Sequence, residues 1–303
     1  MTVKKLSIVG IFCIFVSSLL TLQAKAAVEP SIALIDVGFN TEVFKSNIIY
    51  EVCTIEYTTC SNKKNFMEGP GAASFGPSKN AAASHGTQML SIIVKVNPSA
   101  KVIPIRITGL TDAGNPYIYS LDAVKSSLDW IIANRVKFNI SVVSLAQGKI
   151  FANCAMPKGM AEDLALLKAN NVQVVVAAGN DSNRTTMMAP ACSPDVISVG
   201  ATDNPDPGSK GLAWDKKAKP YIARYSNGNS STSLYANARW YVTNLDGTTK
   251  FMVGTSNAEA SVASWILLHK GADWSATYQN LVAAATGTAS NEWLTGKFLF
   301  IDS

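Results

Sequence analysis

Charge is scarce in this 303-residue chain: Asp, Glu, Lys and Arg make up 16% of it, and histidine occurs only twice. It carries no low-complexity tract and no internal repeat, which leaves an ordinary globular domain as the class to explain. An excess of one sign is also missing. The formal charge of +5 includes Lys4, Lys5 and Lys25, which lie in a segment expected to be removed. The 26 basic residues less those three leave 23 against 21 acidic ones, a net of +2. That balance gives no reason to expect nucleic acid or an anionic membrane as a partner.

One long hydrophobic run is present, Leu6 to Leu22, and it contains Ser17, Ser18 and Thr21. Lys4 and Lys5 precede it, and Ala24-Lys25-Ala26 follows as a small-residue cleavage site. The pattern is that of a signal peptide over residues 1–26. An uncleaved anchor is the rival reading, disfavoured because the run is short for a membrane span. Cys13 lies inside the run, so no cysteine is placed for lipid attachment. The expectation is one exported domain, 27–303, secreted or periplasmic and without a stable membrane anchor. A chain of that length is enough for a substantial core.

Four of the five cysteines survive processing: Cys53, Cys60, Cys154 and Cys192. An even number in an exported chain points to two disulfides, and four cysteines allow three pairings. Cys53–Cys60 with Cys154–Cys192 is preferred, one closing a short polar loop and the other joining loops after two neighbouring strands. Metal ligation is the alternative, but neither histidine lies near a cysteine.

Short apolar runs alternate with stretches of helical spacing. Ile32 to Ile35, Lys101 to Ile107, Ile140 to Leu145, Val172 to Ala177 and Val196 to Val199 read as strands. His85 to Val96, Leu121 to Ala133 and Gly159 to Ala169 read as helices. The alternation argues for a parallel sheet flanked by helices, an α/β fold. Residues 61–84 read as a long surface loop. Tyr235 to Phe251 reads as an antiparallel excursion turning at Asp246-Gly247. Ser256 to His269 reads as a buried helix, and Lys297 to Ile301 as a last strand.

Four segments carry the chemistry: Ile35-Asp36-Val37-Gly38, Ser84-His85-Gly86-Thr87, Ala178-Gly179-Asn180 and Gly254-Thr255-Ser256. Together they supply a carboxylate, an imidazole, an amide and a hydroxyl, the parts of a serine acyl-transfer site in the order Asp, His, Ser. Val143-Ser144-Leu145 and Val196-Ile197-Ser198-Val199-Gly200-Ala201 extend the series. In this order the six segments resemble the subtilisin-like serine peptidases, the subtilases, from about Ser31 to about Leu268. The resemblance implies a three-layer αβα fold with a mainly parallel sheet of about seven strands.

Each residue also has a plainer role to set against that one. Ser256 alone could be a helix N-cap, and Asn180 alone a turn residue. Asp36 ends a buried strand, where an unpaired carboxylate is costly, so it needs a partner. His269, beside Lys270 near a helix end, suits the helix dipole, which leaves His85 as the candidate base. The resemblance assigns Ser256 as nucleophile, His85 as general base and Asp36 as its orienting carboxylate. It assigns Asn180 to the oxyanion hole. Ser144, Leu145 and Ala146 are expected to pair with an extended substrate, with Ala177, Ala178 and Gly179 lining the primary pocket. A protein or peptide is the expected substrate.

The sequence departs from the family pattern after the nucleophile, where Asn257-Ala258-Glu259-Ala260-Ser261 replaces a Met-Ala-small-Pro-His run, and Gln88 replaces the usual His after His-Gly-Thr. Asn257 and Glu259 there are expected to alter substrate fit or helix packing. Nine residues, Ala27 to Ile35, lie between the predicted cleavage site and Asp36. No propeptide is recognisable, so unaided folding or a separate folding helper or inhibitor is expected. The chemistry requires no cofactor. Asp203, Asp206 and Asp246 are the candidates for structural calcium, although turn formation explains them equally. Two other functions fit the same residues: an inactive or partner-dependent subtilase-like binding protein, and a subtilase-type transpeptidase. An α/β-hydrolase esterase is disfavoured, because Gly254-Thr255-Ser256-Asn257-Ala258 lacks the second Gly of a nucleophile elbow.

Overall fold

The structure, a computed structural model, describes residues 29–75, 82–111, 115–116, 119–203 and 219–301. The predicted signal segment and Asp206 lie outside them. In chain order the elements are β1 (Ser31–Asp36), β2 (Val52–Thr54), β3 (Phe66–Glu68), α1 (His85–Val96), β4 (Lys101–Arg106) and α2 (Leu121–Asn134). There follow β5 (Ile140–Leu145), α3 (Met160–Ala169), β6 (Gln173–Ala177), β7 (Ile197–Asp203), β8 (Tyr221–Ile222) and β9 (Leu234–Asn237). The last are β10 (Trp240–Thr243), β11 (Thr249–Met252), α4 (Thr255–Leu268), α5 (Trp274–Ala284), β12 (Gly287–Ser290) and β13 (Thr295–Leu299).

Every position of β1 is buried, because the strand has a helical layer on each face. Successive side chains on a strand point to opposite faces. Ile32 and Leu34 accordingly share one core with Met89, Ile92 and Ile93 of α1 and Ala258, Val262 and Ile266 of α4. Ala33 and Ile35 share the other with Val124 and Leu128 of α2 and Leu164 and Leu167 of α3. This is the three-layer αβα arrangement. Helix α2 is capped by Ser120, whose hydroxyl accepts from the Ala123 N–H at 3.2 Å.

The main sheet has the order β3-β2-β4-β1-β5-β6-β7-β8-β12-β13-β9, with β9 also pairing β7. Its eleven strands exceed the expected seven. A parallel run of β2, β4, β1, β5, β6, β7 and β9 is the expected part. The additions are short: antiparallel β3 on β2, and the group β8, β12 and β13 at the far end. Two further sequence expectations change. Residues 61–84 are more than a surface loop, since β3 lies within them and Ala72, Ala73 and Phe75 are buried. The antiparallel excursion starts at Trp240, because Leu234–Asn237 joins the main sheet as β9.

Both disulfides have the preferred pairing, Cys53–Cys60 and Cys154–Cys192. The second joins the loops that follow β5 and β6. Among the described residues no helix is long and apolar enough to cross a membrane.

Candidate active site

Asp36 is the last residue of β1 and is fully buried. His85 opens α1, and the two meet because of Gly86. A Cβ on residue 86 would come 2.4 Å from the Gly38 carbonyl oxygen and 3.2 Å from Asp36 Cβ. Only glycine lets the first turn of the helix lie this close to the end of β1. The His85 Nδ1 then sits 2.8 Å from Asp36 Oδ1 and 2.9 Å from Oδ2. Asp36 Oδ1 also accepts the Val37 N–H at 2.7 Å and a Gln147 side-chain N–H at 3.1 Å.

Burial works against the charged form of His85. The Asp36 charge and its hydrogen bond outweigh that penalty together and hold the imidazole pKa above its ordinary value. An ionised carboxylate only accepts, so the proton belongs on Nδ1 and the lone pair on Nε2.

Ser256 is the second residue of α4 and is nearly buried. Its hydroxyl donates to the Ala146 carbonyl at 3.5 Å, a long bond that holds it loosely. The N–H groups of a helix's first turn have no intrahelical partner, so the Ser256 N–H is open to a ligand. Asn180 follows β6, and its Oδ1 accepts from the Thr255 N–H at 3.0 Å and the Thr255 hydroxyl at 3.1 Å. Those bonds fix the amide plane and leave its NH2 facing the open side.

His85, Ser256 and Asn180 line one cavity of about 670 Å³, with Ala146, Gln147, Gly148 and Gly179 on its walls. Tyr119, Met188 and, from β11, Lys250 and Met252 complete the rim. Of the residues expected at the substrate, Ala146 and Gly179 reach this cavity. Ser144 and Leu145 lie inside the sheet, paired with Leu34 and Ile35 on one side and Val175 and Val176 on the other. Ala177 and Ala178 are buried behind the wall. The Ala178 N–H donates to the Val199 carbonyl, and its own carbonyl accepts from the Met188 N–H. The edge that faces the cavity is therefore 146–148.

Three residues escaped the sequence reading. Gln147 touches both Asp36 and His85. Tyr119 donates its hydroxyl to the Gly148 carbonyl at 2.7 Å and accepts the Gly148 N–H at 3.0 Å, so one side chain clamps the cavity edge. Burial, above all, pushes its phenol pKa up to about 12, which keeps it a neutral donor. Asn227, fully buried, holds the loop that carries Asn180. None had a signal beyond a polar residue in a loop.

Asn257 and Glu259 are fully buried within α4, so the altered run after Ser256 bears on helix packing. The Asn257 Nδ2 donates to the Ala238 carbonyl at 3.0 Å, and Glu259 Oε2 accepts the Ser144 hydroxyl at 3.0 Å. Gln88 is buried and donates to Asn244 Oδ1 at 2.7 Å, tying α1 to the turn between β10 and β11. Of the calcium candidates, Asp203 is ion-paired with Arg239 and Asp246 Oδ1 accepts two hydrogen bonds from Thr248. Among the described residues no group of three or more His, Cys, Asp or Glu is gathered around a metal position.

Comparison with known proteins agrees with this geometry. An extracellular serine proteinase of a Thermus species is 29% identical over 213 residues, 67% of this chain and 45% of its own length. The chain spans less than half the length of the curated relatives it matches. A cold-adapted subtilisin-like serine proteinase superposes with a TM-score of 0.65 at 20% identity, covering 90% of this chain and 89% of its own. Sphericase superposes with a TM-score of 0.66 at 16% identity, covering 92% and 95%. These two likenesses concern the fold. The model of the subtilase family matches residues 28–297, nearly the whole described chain. With that match over the same strands and helices that bring Asp36, His85, Asn180 and Ser256 together, the chain belongs to the subtilase family.

Proposed function

We propose that the protein is an exported serine endopeptidase that cleaves proteins or peptides through an acyl-enzyme on Ser256. The observation that carries this reading is the buried Asp36 held in two short contacts with His85 Nδ1, beside a cavity lined by His85, Ser256 and Asn180. A neutral hydroxyl is a weak nucleophile and needs a base. His85 Nε2 takes the Ser256 proton as Oγ attacks the scissile carbonyl, then delivers it to the leaving amine. Asp36 keeps the proton on Nδ1 and stabilises the imidazolium. The oxyanion is met by the Asn180 NH2 and the Ser256 N–H, at the positive end of α4. Water then takes the amine's place, and the same steps run in reverse order to release the acid.

Ala146, Gly179 and Met188 give the cavity apolar walls, which favours an apolar side chain beside the cleaved bond. The extracellular curated relative and the two disulfides support export. A fluorophosphonate probe tests the assignment: the folded protein should be labelled on Ser256, and Ser256→Ala and His85→Ala should abolish or strongly slow labelling. A folded wild type that resists the probe ends the peptidase reading.

A further inference from the structure

Gln147 follows the end of β5, half-buried at the rim of the cavity. Its Nε2 lies 3.1 Å from Asp36 Oδ1 and 3.0 Å from His85 Nδ1. A carboxamide nitrogen only donates, and an ionised carboxylate only accepts. The contact with Asp36 is therefore a hydrogen bond. The contact with His85 sets two N–H donors side by side on one acceptor. Asp36 Oδ1 takes three donors in all: Val37 N–H, His85 Nδ1–H and the Gln147 amide.

We propose that Gln147 is a positioning residue for the Asp36–His85 pair, sharing Asp36 Oδ1 with the imidazole and fixing the plane of the carboxylate. The role rests on the serine peptidase reading above. Its physical consequence has a definite sign. A donor on Asp36 spreads the carboxylate's charge, and the positive end of the amide dipole faces His85 Nδ1. Both oppose the imidazolium, so Gln147 moderates the rise in basicity that Asp36 imposes on His85. More of the imidazole is then free base at any pH near or below its pKa. The other ionisable groups facing this cluster are Glu259 from α4, Tyr119 from the segment before α2, Asp181 after β6 and Lys250 from β11. None of them makes a hydrogen bond to Asp36 or His85 among the described contacts.

Two readouts separate this role from a merely structural one. The chain has two histidines, and His269 is stacked on Trp265 with ring centroids 4.0 Å apart, away from the cavity. Imidazole NMR in a Ser256→Ala background therefore titrates His85 with an internal reference and needs no activity. Gln147→Met, which keeps the length and removes the amide, should raise the His85 pKa by about half a unit. Gln147→Glu, which puts a like charge beside Asp36, should raise it by about one unit. With Ser256 intact, Gln147→Met should slow fluorophosphonate labelling up to about threefold at pH below the His85 pKa, and less above it. A His85 pKa unchanged from wild type in both variants overturns the proposal, as does a labelling loss equal at every pH. If the wild type is not labelled at all, the peptidase reading fails, while the titration still decides whether Gln147 is coupled to His85.

Discussion

Glu259 lies less than one turn along α4 from Ser256 and has no exposed surface. Its Oε2 accepts from Ser144, and Oε1 has no hydrogen-bond partner among the described residues. A buried carboxylate so poorly compensated is costly, and protonation relieves the cost. Burial first, with the nearby Asp36 charge adding to it, drives the Glu259 pKa well above the ordinary value, against the Ser144 hydrogen bond that pulls it down. The folded protein thus keeps a proton that the unfolded chain releases. Stability from this group is complete below the ordinary glutamate range and falls as pH rises toward the folded-state pKa. His85, also raised, acts in the same direction at higher pH: its contribution is complete below its ordinary value and is lost as pH rises through the folded one. Glu259→Gln keeps the shape and removes one of the two slopes. Thermal melts should find the variant level with wild type at pH 4 and more stable at pH 8. Each 1 kcal/mol gained should appear as about 2–4 °C in Tm. Identical pH dependence of the two melting curves would show that Glu259 ionises normally.

The elements differ in how much of them the sequence disclosed. β1, β5, β6 and β7 are almost wholly buried, so each is dominated by apolar and small residues, and α1 and α2 carry apolar residues at helical spacing. β2, β3, β8 and β12 have two to four residues, too few for a period, and their pairing is decided by the neighbours they meet in the folded sheet. Asp36, His85, Asn180 and Ser256 were legible because each lies at or just beyond the end of a strand or in the first turn of a helix, beside small residues. Their supports were not, since Tyr119, Gln147 and Asn227 act across long separations from loops.

Asn227 shows the consequence at the scale of one loop. Its Nδ2 donates to the Ala178 carbonyl at 3.1 Å and to Asp181 Oδ2 at 2.9 Å, and its Oδ1 accepts the N–H groups of Asp181 and Asn183, each at 2.9 Å. Gly179 makes room for it: φ is +103°, and a Cβ there would lie 2.2 Å from Asn227 Nδ2. One buried side chain thus sets the turn that presents Asn180. Asn227→Ala leaves several polar groups unpaired and should cut kcat/KM by about ten- to a hundredfold, mostly in kcat, through a misplaced Asn180. Peptide hydrolysis by Asn227→Ala and Asn180→Ala, alone and combined, checks this. Fully additive losses would mean that the two residues act independently.

Across the whole molecule, the site stands on loops that leave the same end of neighbouring parallel strands. Residues 146–148 follow β5, and 179–181 follow β6. Cys154–Cys192 links these two excursions farther along, with 38 positions of separation, and both cysteines are only partly buried. Its removal therefore opens little cavity, unlike loss of Cys53–Cys60, which is packed with Ile55 and Ala72 in a small core of its own. For Cys154–Cys192 the dominant effect should be on the unfolded chain, where the bond forbids many conformations. Loop-closure entropy places the loss in the double Cys154→Ala, Cys192→Ala variant at about 2–4 kcal/mol. Urea unfolding separates this from native-state strain. Release of the crosslink should lower the midpoint and steepen m, because the unfolded ensemble expands and exposes more surface. His85 titration should stay where it was, since the bond lies outside the hydrogen bonds around Asp36. A lowered midpoint with unchanged m would instead place the effect in the folded loops, and an unchanged midpoint would show that the sheet alone holds the two walls of the cavity together.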